Sequence, residues 1–165
     1  MRRIIVTGAN KGIGLGIVRR LLSEYDETFL ILAARSLEKS EQSVSLLLDE
    51  NKTWKNRLIT LKLDVELDDS VAEASEKICS VFDGILEPIH CLINNAGVGD
   101  SYLSMQRVLN VNTWGVKRVC EAFLPLITKK QGRIVNVTSA SGPNFVAKCE
   151  ANFKYILTNP NVTWP

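Results

Sequence analysis

Short apolar runs alternate with stretches of helical periodicity along this chain. The runs are rich in β-branched residues and predict five strands, at residues 3–7, 29–33, 58–63, 89–93 and 134–138. The second run is apolar throughout, which is typical of a strand buried on both faces of a sheet. Between the runs, apolar residues recur every three or four positions, as on the inner face of a helix. The predicted inner faces are Ile13, Ile17, Val18, Leu21 and Leu22; then Val71, Ala74, Ile78 and Phe82; and then Val108, Val111, Gly115, Val119, Ala122 and Leu126.

Two helices have predicted bounds, residues 37–50 and 106–129. Pro125 is expected to kink the second of them, because proline removes the hydrogen bond to the Glu121 carbonyl. Strand and helix alternate from residue 3 to residue 138. This order predicts an α/β fold, with a doubly wound parallel sheet between two helical layers.

The segment after residue 141 has little periodicity and carries three prolines. A doubly wound sheet normally continues past its fifth strand. We therefore expect the sequence to be cut short and the C-terminal strands of such a sheet to be missing.

Composition narrows the class of protein. The chain has 165 residues, enough for one domain, and its 45% hydrophobic content excludes wholesale disorder. A net charge of +2 supplies no basic field for nucleic acid or an anionic membrane, and no apolar run is long enough for a membrane span. The four cysteines are scattered, without metal-ligand spacing. These features predict a soluble cytoplasmic protein without a metal, a nucleic-acid partner or a membrane partner.

A glycine-rich turn joins the first predicted strand to the first predicted helix. Residues 7–14 read Thr-Gly-Ala-Asn-Lys-Gly-Ile-Gly. Gly8 permits a tight exit from the strand, Gly12 permits close approach of a pyrophosphate, and Gly14 permits close packing of the helix on the sheet. Free amides of the first helical turn would face the anion. The alternative is a glycine-rich turn that binds no ligand.

Further motifs follow in a fixed order: Asp64-Val65, Asn94-Asn95-Ala96-Gly97, Val111-Asn112 and Asn136-Val137-Thr138-Ser139. Together with the glycine turn, this set resembles the short-chain dehydrogenase/reductase family over residues 4–139. The amino-acid sequence at residues 10–14 and 123–127 is similar to that of the carbonyl reductase branch of this family. The resemblance implies a Rossmann-type fold with three layers, α/β/α.

The resemblance also implies a nicotinamide cofactor. Its binding residues would be Gly8, Asn10, Lys11, Gly12, Ile13, Gly14, Arg35, Asp64, Val65, Asn94, Asn95, Ala96 and Gly97. In the family the position of Asp64 binds the adenine amino group, although an aspartate after a strand is also a common turn former. Strand two ends at Ala34-Arg35, without the carboxylate that holds an NAD ribose. Arg35 and Lys11 therefore indicate NADP(H), unless both are ordinary solvated charges.

For catalysis the family uses Asn, Ser, Tyr and Lys, and the resemblance assigns Asn112 and Ser139 to the first two roles. Ser would polarise a carbonyl and Asn would hold a water for proton relay. The YxxxK motif is absent, since Tyr155 is followed four positions later by Asn159. Asn112 also stands only 15 positions after Gly97, fewer than is usual in the family.

The resemblance therefore divides the chain in two. Residues 1–139 form the NADP-binding part, and residues 140–165 are the start of an insert or an irregular tail. The implied function is hydride transfer between NADPH and a small ketone, aldehyde or quinone substrate, in a monomer rather than a dimer. The alternative is a catalytically inactive truncated product that binds a nucleotide or a partner.

Overall fold

The sheet is parallel throughout and follows the predicted winding. The computed structural model of the chain describes residues 1–99, 103–161 and 163. The strands are β1 (Arg2–Thr7), β2 (Thr28–Ala34), β3 (Leu58–Lys62), β4 (Cys91–Asn94) and β5 (Arg133–Asn136). Their spatial order is β3-β2-β1-β4-β5, and every neighbouring pair is parallel. The predicted α/β fold with a doubly wound sheet is confirmed.

The helices are α1 (Gly12–Glu24), α2 (Leu37–Glu50), α3 (Asp68–Val81), α4 (Met105–Leu109), α5 (Val116–Phe123), α6 (Ser141–Lys148) and α7 (Ala151–Thr158). A π-helical turn, Asn110–Gly115, joins α4 to α5, and short 3-10 helices occupy Lys52–Arg57 and Leu124–Leu126. Among the described residues, no helix is long and apolar enough to cross a bilayer.

Alternate side chains of the central strands feed two hydrophobic cores, one on each face of the sheet. Ile4, Val6, Leu30 and Leu32 pack with apolar residues of α1 and α2, including Val18, Leu22 and Leu47. Ile5, Ile31 and Leu92 pack on the other face with residues of α3 and α5, including Val71, Ile78, Val119 and Phe123. This is why residues 29–34 of β2 are all apolar, and it confirms the three layers.

Two features of the helices differ from the sequence prediction. Ile13, predicted on the inner face of the first helix, is 70% exposed, because it lies in the first turn of α1 beyond the edge of the core. The helix predicted over residues 106–129 is interrupted by the π-helical turn, and helical structure ends at Leu126. Pro125 lies in the final 3-10 turn, so it helps to end the helix rather than kink it.

The segment after β5 folds into α6 and α7, which contact each other and leave β5 open. Every residue of β5 is exposed, Val135 by 45%, and both short helices lack a buried residue. Residues 162, 164 and 165 of this predicted tail lie outside the described residues. Within the described part of the chain, β5 is therefore an uncovered edge of the sheet.

Candidate functional site

A cleft of about 570 Å³ opens where strands β1 to β4 end. The chain winds from β1 to β2 and β3 and then returns to the other side of β1, so the cleft lies at the switch point of the sheet. Ligands of doubly wound sheets bind at this place, and the volume is within the usual range for a ligand site. The cleft is lined by Gly8, Asn10, Lys11, Gly12, Ile13, Gly14, Ala34, Arg35, Leu63, Asp64, Val65, Glu66, Asn95, Ala96, Gly97, Val98 and Val111.

The glycine turn forms one wall of the cleft in a conformation that requires glycine. Gly8 and Gly12 have φ values of +63° and +56°, in the left-handed region. A β-carbon at Gly8 would come within 2.8 Å of the Ala96 Cα. At Gly14 it would come within 2.5 Å of the Asn95 Nδ2 and 2.6 Å of the Gly8 oxygen. The turn is therefore packed directly against the segment that follows β4.

The N-terminus of α1 is suited to an anion. Lys11 is the N-cap residue, its side chain makes no capping hydrogen bond, and the first turn of α1 contains no acidic residue. By contrast, Ser36 caps α2, and α3 has two aspartates in its first turn. The Ser43 hydroxyl holds the turn in place by donating to the Asn10 carbonyl at 2.6 Å. A phosphate in this part of the cleft would meet unpaired amides at the positive end of a helix dipole.

Thr7 and Asn95 join the carboxyl ends of β1 and β4. The Thr7 hydroxyl oxygen accepts hydrogen bonds from the backbone amides of Asn95 and Ala96, both at 3.0 Å. The side-chain amide nitrogen of Asn95 donates to the Thr7 carbonyl at 2.9 Å and to the Gly8 carbonyl at 3.3 Å. Thr7 has no role predicted from the sequence, although a hydroxyl directly before the glycine turn is the signal that could have indicated one.

Asn94 does not line the cleft. Its side chain is 4% exposed and donates to the Asn136 side-chain oxygen on β5 at 2.9 Å and to the Cys120 sulfur of α5 at 3.2 Å. The buried amide thereby ties β4 to its neighbour. Asn94 supports the sheet beneath the site, whereas the structure places the twelve other predicted cofactor-binding residues in the cleft wall.

Two cationic side chains lie on the rim of the cleft. Lys11 projects from the glycine turn, and Arg35 directly follows β2. Both are exposed, and within the described ranges neither forms an ion pair with a carboxylate, unlike Arg19, Arg107 and Arg118. Ala34, which precedes Arg35, brings no acidic group to the cleft. A dianionic ligand could therefore be neutralised here without breaking an existing salt bridge.

Asp64 makes a turn after β3 and also lines the cleft. One carboxylate oxygen accepts from the Glu66 amide at 3.1 Å, which makes the turn after β3, and the Asp64 amide donates to the Ser70 hydroxyl at 2.9 Å. The residue nevertheless lines the cleft, next to Val65 and Glu66. Glu66 was not predicted as a site residue, and its carboxylate is held by Arg107 at 3.2 Å.

The two predicted catalytic residues do not line the cleft. Asn112 lies in the π-helical turn, where its side-chain oxygen accepts from the Val98 amide at 2.9 Å and its nitrogen donates to the Val98 carbonyl at 2.8 Å. Ser139 follows β5, and its hydroxyl contacts the Ser141 hydroxyl at 3.0 Å. The side chain of Tyr155 is exposed on α7. In the part of the chain that is described, Ser139 and Asn112 share no hydrogen bond.

His90 lies at the opposite end of the sheet from the cleft. It precedes β4, and its backbone pairs with Arg3 and Arg133. Burial lowers the pKa of this half-buried imidazole, and the nearby charges of Arg2 and Arg133 lower it further. Over the described residues no group of acidic, histidine or cysteine side chains could hold a metal ion. His90 is therefore a structural residue, not an acid or base of the cleft.

A glycine turn, an uncapped helix N-terminus and a cleft at the switch point define a Rossmann-type nucleotide-binding protein. The family model for short chain dehydrogenases matches residues 2–151. The chain belongs to the short-chain dehydrogenase family, whose members bind nicotinamide cofactors.

Individual relatives differ in the reaction that their names describe. The mitochondrial D-beta-hydroxybutyrate dehydrogenase of Bos taurus is 34% identical over 148 residues, covering 86% of this chain and 42% of the relative. Carbonyl reductase [NADPH] 1 of Mus musculus is 28% identical over 166 residues, covering 96% and 56%. The structure of an alcohol dehydrogenase from Thermococcus sibiricus complexed with 5-hydroxy-NADP is 29% identical, with a TM-score of 0.71, and the match covers 91% of this chain and 61% of that one. The chain spans about half the length of the curated relatives it matches.

Proposed function

We propose that this chain supplies the cofactor site of an NADP(H)-dependent oxidoreductase of the carbonyl reductase type. The single observation that carries the cofactor choice is the rim of the cleft. Lys11, in the glycine turn, and Arg35, directly after β2, are two cations that form no salt bridge among the described residues. Ala34 offers no carboxylate to hold the ribose 2′-hydroxyl of NAD. An arginine fork matches phosphate geometry, so a 2′-phosphate would be bound more tightly than a hydroxyl.

The remaining walls of the cleft fit the other parts of a dinucleotide. The glycine turn and the amides at the start of α1 would hold the pyrophosphate. The carboxylate of Asp64 is an acceptor for an amino group of the base. The Asn95–Thr7 hydrogen bonds fix the opposite wall, where Ala96 and Gly97 line the cleft.

When bound, the nicotinamide supplies hydride transfer to or from a carbonyl carbon. The substrate class, a small ketone, aldehyde or quinone, is proposed from the resemblance to carbonyl reductases, one of which is named for NADPH. A cytoplasmic location is proposed with it, and so is a monomeric state for an enzyme in which the edge at β5 is covered. Ser139 and Asn112 are the proposed catalytic serine and asparagine, although the chain contains no YxxxK motif to complete the set.

Isothermal titration of the chain with NADPH and NADH tests the cofactor proposal. A charge-assisted hydrogen bond contributes about 1.5–3 kcal/mol, so we expect NADPH to bind at least about tenfold more tightly than NADH. Arg35→Ala should narrow this ratio. Arg20→Ala is the matched control, because Arg20 pairs with Glu24 on the exposed face of α1. Equal affinities for the two cofactors in the wild-type chain would refute the NADP preference.

The missing YxxxK motif favours a second function, nucleotide binding without turnover. In this case the chain would show the same preference for NADPH in titration but would reduce no carbonyl compound. Turnover of a quinone by the chain, measured on the same preparation as nucleotide binding, would exclude this second function.

A further inference from the structure

We propose that Arg118 is a positioning residue that holds residues 64–66 in place for the base of the dinucleotide. The proposal rests on the proposed cofactor function and assigns a role to a residue outside the cleft. Arg118 belongs to α5, and neither its side chain nor its backbone lines the cleft. Its guanidinium nevertheless contacts the segment that forms the cleft wall after β3.

The guanidinium of Arg118 uses several donors at once. One terminal nitrogen donates to the Val65 carbonyl at 2.7 Å, and the other donates to the Asn110 side-chain oxygen at 3.1 Å. The Nε atom forms an ion pair with the Asp68 carboxylate, at the start of α3. The side chain is only 21% exposed. Because the planar fork has a fixed geometry, these three contacts fix the position of the Val65 carbonyl relative to α3 and α5.

Two other contacts hold the same segment from the same side. The side-chain amide nitrogen of Asn110 lies 3.5 Å from the backbone carbonyl oxygen of Glu66, and Arg107 forms an ion pair with the Glu66 carboxylate. Gly115 allows this approach, since a β-carbon there would lie 3.0 Å from the Val65 carbonyl oxygen. The π-helical turn therefore packs closely against Val65, and Arg118 adds the polar contact.

Asp64 is the group whose position depends on these contacts. Its backbone continues directly into Val65, the residue lines the cleft, and one carboxylate oxygen accepts from the Glu66 backbone amide, which leaves the other oxygen for the base. An ionised carboxylate is an acceptor only, so it favours the amino group of adenine and disfavours the carbonyl oxygen of hypoxanthine. A shift of the segment would remove this discrimination, whereas the phosphate contacts at α1 would be unaffected.

The test compares the affinities of NADPH and its hypoxanthine analogue, deamino-NADPH, by isothermal titration of the full chain. We expect the wild-type chain to bind NADPH about tenfold or more tightly than deamino-NADPH, because the hydrogen bond involves a charged acceptor. Arg118→Ala should reduce this ratio to below about threefold. Arg20→Ala, which removes an exposed ion pair of α1, should leave it unchanged. A general loss of folding would lower the affinities for both ligands by the same factor and so would not change their ratio.

If Arg118→Ala does not fold, Arg118→Lys is titrated in its place. Lysine keeps the charge but cannot reproduce the fork, so an intermediate ratio is expected. The proposal is overturned if the ratio in the variant equals that of the wild type, or if the wild-type chain does not distinguish the two ligands. Failure of the wild-type chain to bind NADPH at all would instead refute the proposed cofactor function.

Discussion

The side-chain amide of Asn95 donates to the backbone carbonyl of Thr7 at 2.9 Å, and the Thr7 hydroxyl accepts from the backbone amide of Asn95 at 3.0 Å. These reciprocal bonds join residues 88 positions apart in the chain. They close the cleft at the point where β1 and β4 diverge, and they determine how near the glycine turn lies to Ala96. The shape of the cleft thus depends on a buried threonine that is not among the residues lining it.

Replacing Thr7 by valine should destabilise the protein and weaken nucleotide binding together. Valine keeps the shape but leaves the amides of Asn95 and Ala96 without their acceptor, a loss of about 1–3 kcal/mol in the free energy of unfolding. Thr60→Val is the control, because Thr60 is a half-buried residue of β3. Urea denaturation measures the effect, and equal stabilities of the two variants would contradict it.

Two glycines of α1 should respond in opposite ways to alanine. At Gly14 a β-carbon would overlap Asn95 and the Gly8 carbonyl, so Gly14→Ala should lose about 1–3 kcal/mol of stability and most nucleotide affinity. At Gly16 nothing lies within 4 Å, so Gly16→Ala should gain about 0.5–1 kcal/mol from helix propensity. Both variants make the same substitution in the same helix, so only the surroundings of the added methyl group differ. A gain of stability at Gly14 would show that the packing of the turn is looser than described.

The fold was predictable because its signals are local. The glycine turn, the apolar strand two and the inner faces of α1 and α3 follow from periodicity and chain order. The π-helical turn was not predictable, because it is selected by contacts far along the sequence, such as those of Asn110 with Glu66 and of Asn112 with Val98. Helical periodicity alone gives no reason for that interruption.

The site was predictable to the extent that single residues mark it. Gly8, Arg35 and Asp64 could be identified from their positions after strands, where such residues face a ligand. The roles of Thr7 and Arg118 depend on distances between segments, which the sequence does not contain. Asn94 illustrates the limit, since its neighbour Asn95 faces the cleft while Asn94 itself points into the sheet.

The chain as given should not reduce carbonyl compounds. No lysine follows Tyr155 at the YxxxK spacing, and the tyrosine is 72% exposed on α7. With a quinone or an α-dicarbonyl, NADPH oxidation followed at 340 nm should not exceed the rate of a blank, and Tyr155→Phe should have no effect. Steady turnover that is lost in Tyr155→Phe would show that this residue is catalytic after all.

The exposed edge strand should make the chain self-associate. In the described structure β5 presents Ile134 and Val135 to solvent, without a lysine or proline in the strand to oppose pairing. Val135→Lys should therefore reduce light scattering and the sedimentation of oligomers. Val81→Lys is the control, because Val81 is a comparably exposed residue at the end of α3. A wild-type monomer that melts cooperatively above about 60 °C would contradict this expectation.

We expect Lys11 and Arg35 to hold a 2′-phosphate at the rim of the cleft. The most direct measurement compares the affinities of 2′,5′-ADP and 5′-AMP, which differ only in that phosphate, for the wild-type chain and for a variant with both Lys11→Ala and Arg35→Ala. We predict that the wild-type chain binds 2′,5′-ADP at least about tenfold more tightly and that the double variant binds the two ligands with nearly equal affinity. A wild-type chain that binds both ligands equally, or a double variant that keeps the full preference, would contradict the account.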